Sequence, residues 1–172
     1  IGVPTTLILS GEEIQLEDLK ILTFVLPKEV HELKGSSNIN LKITGEIGEG
    51  AKFESLEPVL NLNIEGEISL KNGKIANKAI DSALLRGSFR KKALRLEEAH
   101  IISGDTDLRC AGEVKFDGTV DITLSGILNF SNIKEFTKKY GRLSGRINFI
   151  ANLSGNLAKP DIVCEVSGYD VS

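Results

Sequence analysis

Leu60-Asn61-Leu62-Asn63-Ile64-Glu65-Gly66-Glu67-Ile68-Ser69-Leu70 alternates apolar and polar residues throughout, with Gly66 taking one of the apolar places. A period of two means extended strand, one face apolar and the other wet. Working outward, the pattern returns at Leu108, Cys110, Gly112, Val114 and Phe116. It returns at Val120, Ile122, Leu124, Gly126, Leu128 and Phe130, and again at Leu143, Gly145, Ile147, Phe149, Ala151, Leu153, Gly155 and Leu157. Leu85 and Phe89 flank Gly87 in an earlier run, and Ile162 and Val166 carry the phase through the last. These runs exceed the usual strand of about 5–6 residues. The apolar members of this set from Leu60 to Val166, other than Cys110, Ala151 and Leu157, are the predicted lining of one large apolar sheet face, and the chain supplies little to cover it.

Strands are expected near 5–9, 12–16, 19–26, 39–47, 59–70, 79–90, 94–102, 106–116, 119–130, 142–157 and 160–171. Turn chemistry separates them at Gly35-Ser36-Ser37-Asn38, Asn72-Gly73, Ser103-Gly104-Asp105 and Asp117-Gly118. Asp117-Gly118 lies between two strongly alternating runs and is the strongest hairpin signal. Short links between consecutive strands favour an antiparallel meander. The predicted fold is all-β: one curved antiparallel sheet of about ten strands. One segment changes period. Ile133, Phe136 and Tyr140 stand at helical spacing, with Ser131 or Asn132 to cap the start and Gly141 the end, which predicts a short helix near 132–140. Residues 27–33 read as a second helical turn or a loop.

Glycines recur on the apolar phase at 45, 66, 87, 112, 126, 145, 155 and 168. Glycine weakens a strand and marks bends, bulges or close approaches. On the apolar side it allows the sheet to curl toward that side without side-chain collision.

The composition bounds the function. The net charge is −3, with both signs interspersed. That lacks the basic footprint of a nucleic-acid binder, so no nucleic-acid partner is expected. No apolar run approaches the roughly 18 residues of a transmembrane helix. The chain has no Met and begins Ile1-Gly2-Val3-Pro4, so it reads as a trimmed fragment, which would have lost any signal peptide. Cys110 and Cys164 both fall on the apolar phase, as free thiols or as a pair; in a simple meander they stand three strands apart, about 14 Å.

No catalytic constellation emerges, so the chain is read as non-enzymatic, with no cofactor and no metal. His31 and His100 lack ligand partners at suitable spacing. Asp105 and Asp107 beside Gly104 suggest a turn; the rest of a calcium loop is missing. The glycosylation sequons at Asn129 and Asn152 fall in or at the end of strands. Two basic clusters stand out, Arg86, Arg90, Lys91, Lys92 and Arg95, then Lys134, Lys138, Lys139, Arg142 and Arg146. They read as solvated faces or as contacts for anionic headgroups. The apolar face has three readings: a filled barrel or sandwich core, an outer-membrane barrel exterior, or an open groove for acyl chains. The barrel exterior wants aromatic girdles, and the chain has no Trp and two Tyr.

Gly141-Arg142-Leu143-Ser144-Gly145-Arg146-Ile147, then Leu153-Ser154-Gly155-Asn156-Leu157-Ala158-Lys159-Pro160, resemble the AsmA-like superfamily and within it the TamB family. Leu70-Lys71-Asn72-Gly73-Lys74-Ile75 is similar to a recurring turn of that family. The resemblance covers the C-terminal half well, extends more weakly back to Asn38, and is poor before it. Residues 1–38 are therefore set apart as N-terminal strands, and 39–172 as a repeating β-groove segment, together one continuous domain. The resemblance implies a U-shaped sheet whose apolar groove shields phospholipid acyl chains between two membranes. It implies a periplasmic protein anchored in the inner membrane of a diderm bacterium. It also implies an outer-membrane barrel partner, TamA-like, reached through parts absent here, and an alternative role in assembling outer-membrane β-barrel proteins or autotransporters. Family members are much longer, and neither anchor nor partner region is recognisable in this chain.

Overall fold

The computed structural model describes residues 3–16, 34–47, 62–75, 78–129 and 145–169. Nine strands follow one another in chain order: β1 Val3–Gln15, β2 Lys34–Ile47, β3 Leu62–Ile75, β4 Lys78–Arg90, β5 Ala93–Ser103, β6 Thr106–Lys115, β7 Thr119–Asn129, β8 Arg146–Asn156 and β9 Lys159–Tyr169. They form a single open sheet in which each strand pairs only with its sequence neighbours, and every pairing is antiparallel. This is the predicted all-β meander. The short helix expected near 132–140, the strand expected at 19–26 and the segment 27–33 lie outside the described residues.

Two hairpins follow their turn chemistry. Gly118 has a φ of 87° and its N–H donates to the Lys115 carbonyl at 3.0 Å. The Asp117 carboxylate accepts the Thr119 N–H at 2.8 Å, and this bond holds the acid below its ordinary carboxylate range. Between β5 and β6, Gly104 has a φ of 55° and donates its N–H to Asp81 at 2.7 Å.

Three expectations are corrected. The separate strands 5–9 and 12–16 are one strand, β1. Its register slips by one residue between Gly11 and Ile14, and Glu13 takes a φ of 55° there. The apparent break is thus a bulge, whose extra residue leaves the ladder. Gly35-Ser36-Ser37-Asn38 is no turn but part of β2, where Asn38 Oδ1 accepts the Glu13 N–H at 3.0 Å. The turn-forming side chain satisfies the bulge opposite it. Asn72-Gly73 lies inside β3, with Asn72 at φ 48°. Here asparagine's tolerance of the left-handed region serves a kink within a strand.

The β4–β5 turn uses residues the sequence does not advertise. Lys91 and Lys92 have φ values of 50° and 61°, the two-residue conformation that normally selects Asn-Gly. Left-handed backbone costs an ordinary side chain roughly 1 kcal/mol or more. Lys91→Asn with Lys92→Gly is therefore expected to raise the thermal midpoint by several degrees. An unchanged or lowered midpoint on thermal scanning would show that this turn is unstrained.

Candidate functional site: one apolar sheet face

Cross-strand pairs share a face, so the register assigns every side chain. Leu9, Leu41 and Gly66 stand in one rank with Gly87, Leu96, Gly112, Ile122, Leu153 and Ile162. The next rank holds Leu7, Ile43, Ile64, Phe89, Leu94, Val114, Val120 and Gly155. On the same face, beyond the rank of Gly66 and Gly87, Ile68 pairs Leu85 and Leu85 pairs Ala99. Cys110, Leu124, Ala151 and Cys164 form a rank through the last four strands. Leu108, Gly126, Phe149 and Val166 form another, and Leu128 pairs Ile147. Leu62 pairs Gly45, and Leu70 pairs Ser37 and Ala83. The alternation thus converts eighteen predicted positions into one contiguous aliphatic surface, counting Phe116 by its phase just past the end of β6. Leu60, Phe130 and Leu143 lie outside the described residues.

The face has members that alternation missed. A one-residue slip between Leu96 and Ala99 places Glu97 out of register. On β5 the apolar phase therefore runs Leu94, Leu96, then Ala99, Ile101, and a strict period of two loses it. The adjacent acids Glu97-Glu98 are the sequence signal for that slip. Ile39, Leu41 and Ile43 of β2 and Leu7 and Leu9 of β1 extend the same face, beyond where the family resemblance is good.

Among the described residues no second layer packs on this face. Of the described apolar side chains seven are buried: Leu16, Ile39, Leu62, Leu70, Ile80, Val120 and Ala151. Among the described residues one core cluster forms, Leu16, Leu70 and Ile80, joined by Ala83 and Ile101 at one end of the strands. Elsewhere burial comes from neighbours in the same sheet, and Leu85, Leu94, Phe116, Ile162 and Val166 remain 41–61% exposed.

The glycines mark where neighbouring backbones close in. A Cβ on Gly66 would lie 2.0 Å from the Asn40 carbonyl oxygen, and one on Gly112 2.1 Å from that of Asp121. Their φ values, 152° and 143°, are also foreign to L side chains. Glycine at these points permits a local bend of the sheet that a larger residue forbids.

The opposite face mixes exposed aliphatic side chains, Ile8, Ile127, Ile150 and Val163, with charged residues that largely neutralise one another. Arg86 binds Glu67 at 2.7 Å and Glu98 at 3.6 Å; Glu65 pairs with Lys42 at 3.6 Å and also with Arg90. The hydrogen bonds that Arg86 donates to the Glu67 carboxylate raise the Arg86 pKa above its ordinary value. His100 contacts Asp107 at 2.9 Å, and Asp107 meets Arg109 at 3.6 Å. Arg146 reaches Asp105 at 3.0 Å. So Arg86 and Arg90 of the first basic cluster are engaged in the sheet's own ion pairs. Of the second cluster only Arg146 is described, and it is paired too. An open trough of about 680 Å³ lies between Arg95, Glu97, Glu113, Lys115 and Asp121. Its two cations and three acids are interspersed, so it presents no patch of a single sign to a charged ligand. No cluster of three or more His, Cys, Asp or Glu arranged to hold a metal occurs among the described residues.

Cys110 and Cys164 are free. They share a rank three strands apart, as the meander predicts. Burial pushes the Cys110 thiol up, leaving less thiolate at a given pH, whereas Cys164 is exposed. A maleimide at pH 7.5 is expected to label Cys164 well before Cys110, read by peptide mass spectrometry. Equal rates would contradict the burial of Cys110.

Comparison with protein-family models, with curated proteins and with solved structures finds no match.

Proposed function

We infer that this chain is a non-enzymatic segment of a lipid-transfer conduit, whose apolar face shields phospholipid acyl chains from water. The observation that carries the reading is a continuous aliphatic face across nine strands with no layer over it among the described residues. Eight inter-strand steps of about 4.8 Å make it roughly 38 Å across. An uncovered apolar surface beyond a few hundred Å² marks a binding surface. Its lining is mainly aliphatic, suited to hydrocarbon. Each CH2 removed from water gains about 0.8 kcal/mol, without direction. Successive ranks offer an acyl chain near-equivalent places, so it can be held and still slide. The resemblance to the TamB family adds a setting: a U-shaped groove in the periplasm of a diderm bacterium, within a parent protein anchored in the inner membrane and meeting a TamA-like barrel.

A second reading rests on the sheet edges. β1 exposes Leu7, Ile8 and Leu9, and β9 exposes Ile162, Val163 and Val166. Bare apolar edges invite an added strand, as a scaffold for β-barrel assembly would. Lipid extraction of the purified chain with mass spectrometry separates the two. Reproducible phospholipid supports the conduit. Absence of lipid, with saturable binding of an unfolded β-barrel precursor, would establish the scaffold instead.

A further inference from the structure

We propose that one long edge of the sheet, built from three linked hairpin tips, docks on an anionic phospholipid bilayer surface. The tips are the β4–β5 turn at Lys91-Lys92, the β6–β7 turn at 116–118 and the β8–β9 turn at 157–158. Backbone hydrogen bonds join them. The Phe116 N–H donates to the Lys92 carbonyl at 2.9 Å, and the Leu157 N–H donates to the Gly118 carbonyl at 2.7 Å. Phe116 also packs edge-on against Phe89, ring centroids 5.7 Å apart. The tips therefore form one connected rim.

This rim carries the two ingredients of an interfacial anchor, apolar tips and cations beside them. Phe116 and Leu157 are 55% and 56% exposed at the tips. Lys91, Lys92 and Lys159 are exposed and form no ion pair among the described residues. Lys115 is tied to Glu113 at 3.5 Å. The acids nearby are Asp117, whose carboxylate is occupied by the Thr119 N–H, and Asp161, across from Ser154. At the opposite edge, where it is described, Lys34, Lys74 and Lys78 are exposed as well, but the β5–β6 turn carries Asp105, with Asp81 and Asp107 close by, and no large apolar residue at its tip. A negative surface attracts the lysines, and the acyl boundary accepts the Phe116 ring and the Leu157 side chain beside them. The arrangement would hold one edge of the apolar face against a membrane.

The test is co-sedimentation with vesicles of phosphatidylcholine alone or with phosphatidylglycerol added. The chain is expected to bind only the anionic vesicles, with binding falling as salt rises. Lys91→Asn with Lys92→Gly removes both charges while suiting the turn, so lost binding cannot come from unfolding; at least a tenfold weakening is expected. Phe116→Ser with Leu157→Ser should weaken it comparably at high salt. Lys74→Glu with Lys78→Glu changes charge on the opposite edge and should leave binding intact. Equal losses from both lysine pairs, or no binding to anionic vesicles, would overturn the proposal. The result is separable from the acyl-chain reading, because Leu124→Asp should spare vesicle docking.

Discussion

Leu124→Asp is expected to abolish binding of a fluorescent fatty-acid probe, whereas Ser125→Asp leaves it near wild type. Leu124 stands on the apolar face between Cys110 and Ala151. Its neighbour Ser125 points the other way, between Arg109 and Ile150. A carboxylate at 124 would sit where hydrocarbon passes, and moving a charge into an apolar setting is costly. At 125 it would meet a guanidinium. Ile127 is the poorer control, because it faces Asp107 and an added acid there would repel. The size of the stability change discriminates further. On an open face, water reaches the new carboxylate when no lipid is bound, so unfolding should become easier by only about 1–2 kcal/mol. In a sealed core the same change would cost upwards of about 4 kcal/mol. Melting curves and probe titrations on the two variants give both numbers. Unfolding of the Leu124 variant, or equal probe loss in both, would defeat the acyl-groove reading.

Gly112→Val should destabilise the sheet by about 3 kcal/mol or more, while Ala111→Val changes stability by no more than about 0.5 kcal/mol. Valine is a favoured strand residue, so propensity alone predicts a gain at both places. At 112 it loses to geometry. The new Cβ would overlap the Asp121 carbonyl oxygen and come within 2.7 Å of the Ile122 Cα, at a φ of 143°. Backbone atoms of a paired strand cannot yield as a flexible side chain does, so β6 and β7 would have to separate. Ala111 lies exposed on the opposite face, across from Thr123. Urea denaturation of the two variants measures the difference. A neutral Gly112→Val would mean that glycine there serves no bend.

Alternation by itself determined the fold class, the antiparallel meander and most of the apolar face. A strict period of two leaves each side chain only one of two faces, and short turns pair each strand with its neighbour. Asp117-Gly118 was legible for the same local reason: a positive φ and a capping carboxylate involve no distant partner. The bulges were decided by the sheet. Gly11, Asn38 and Asn72 carry turn chemistry, and the chain uses them for a register slip, for the side chain that satisfies it, and for a kink. Which use prevails depends on the strand lying alongside, 25 residues away in the case of Glu13 and Asn38. The slip at Glu97 likewise hid Leu94, Leu96, Ala99 and Ile101, since phase is a pairwise property of two strands. The basic residues divided in the same way. Composition could not tell Arg86, held by acids on both flanking strands, from Lys91 and Lys92, left at a tip. Cross-strand register places charges within about 5 Å of one another, and only the folded sheet sets that register.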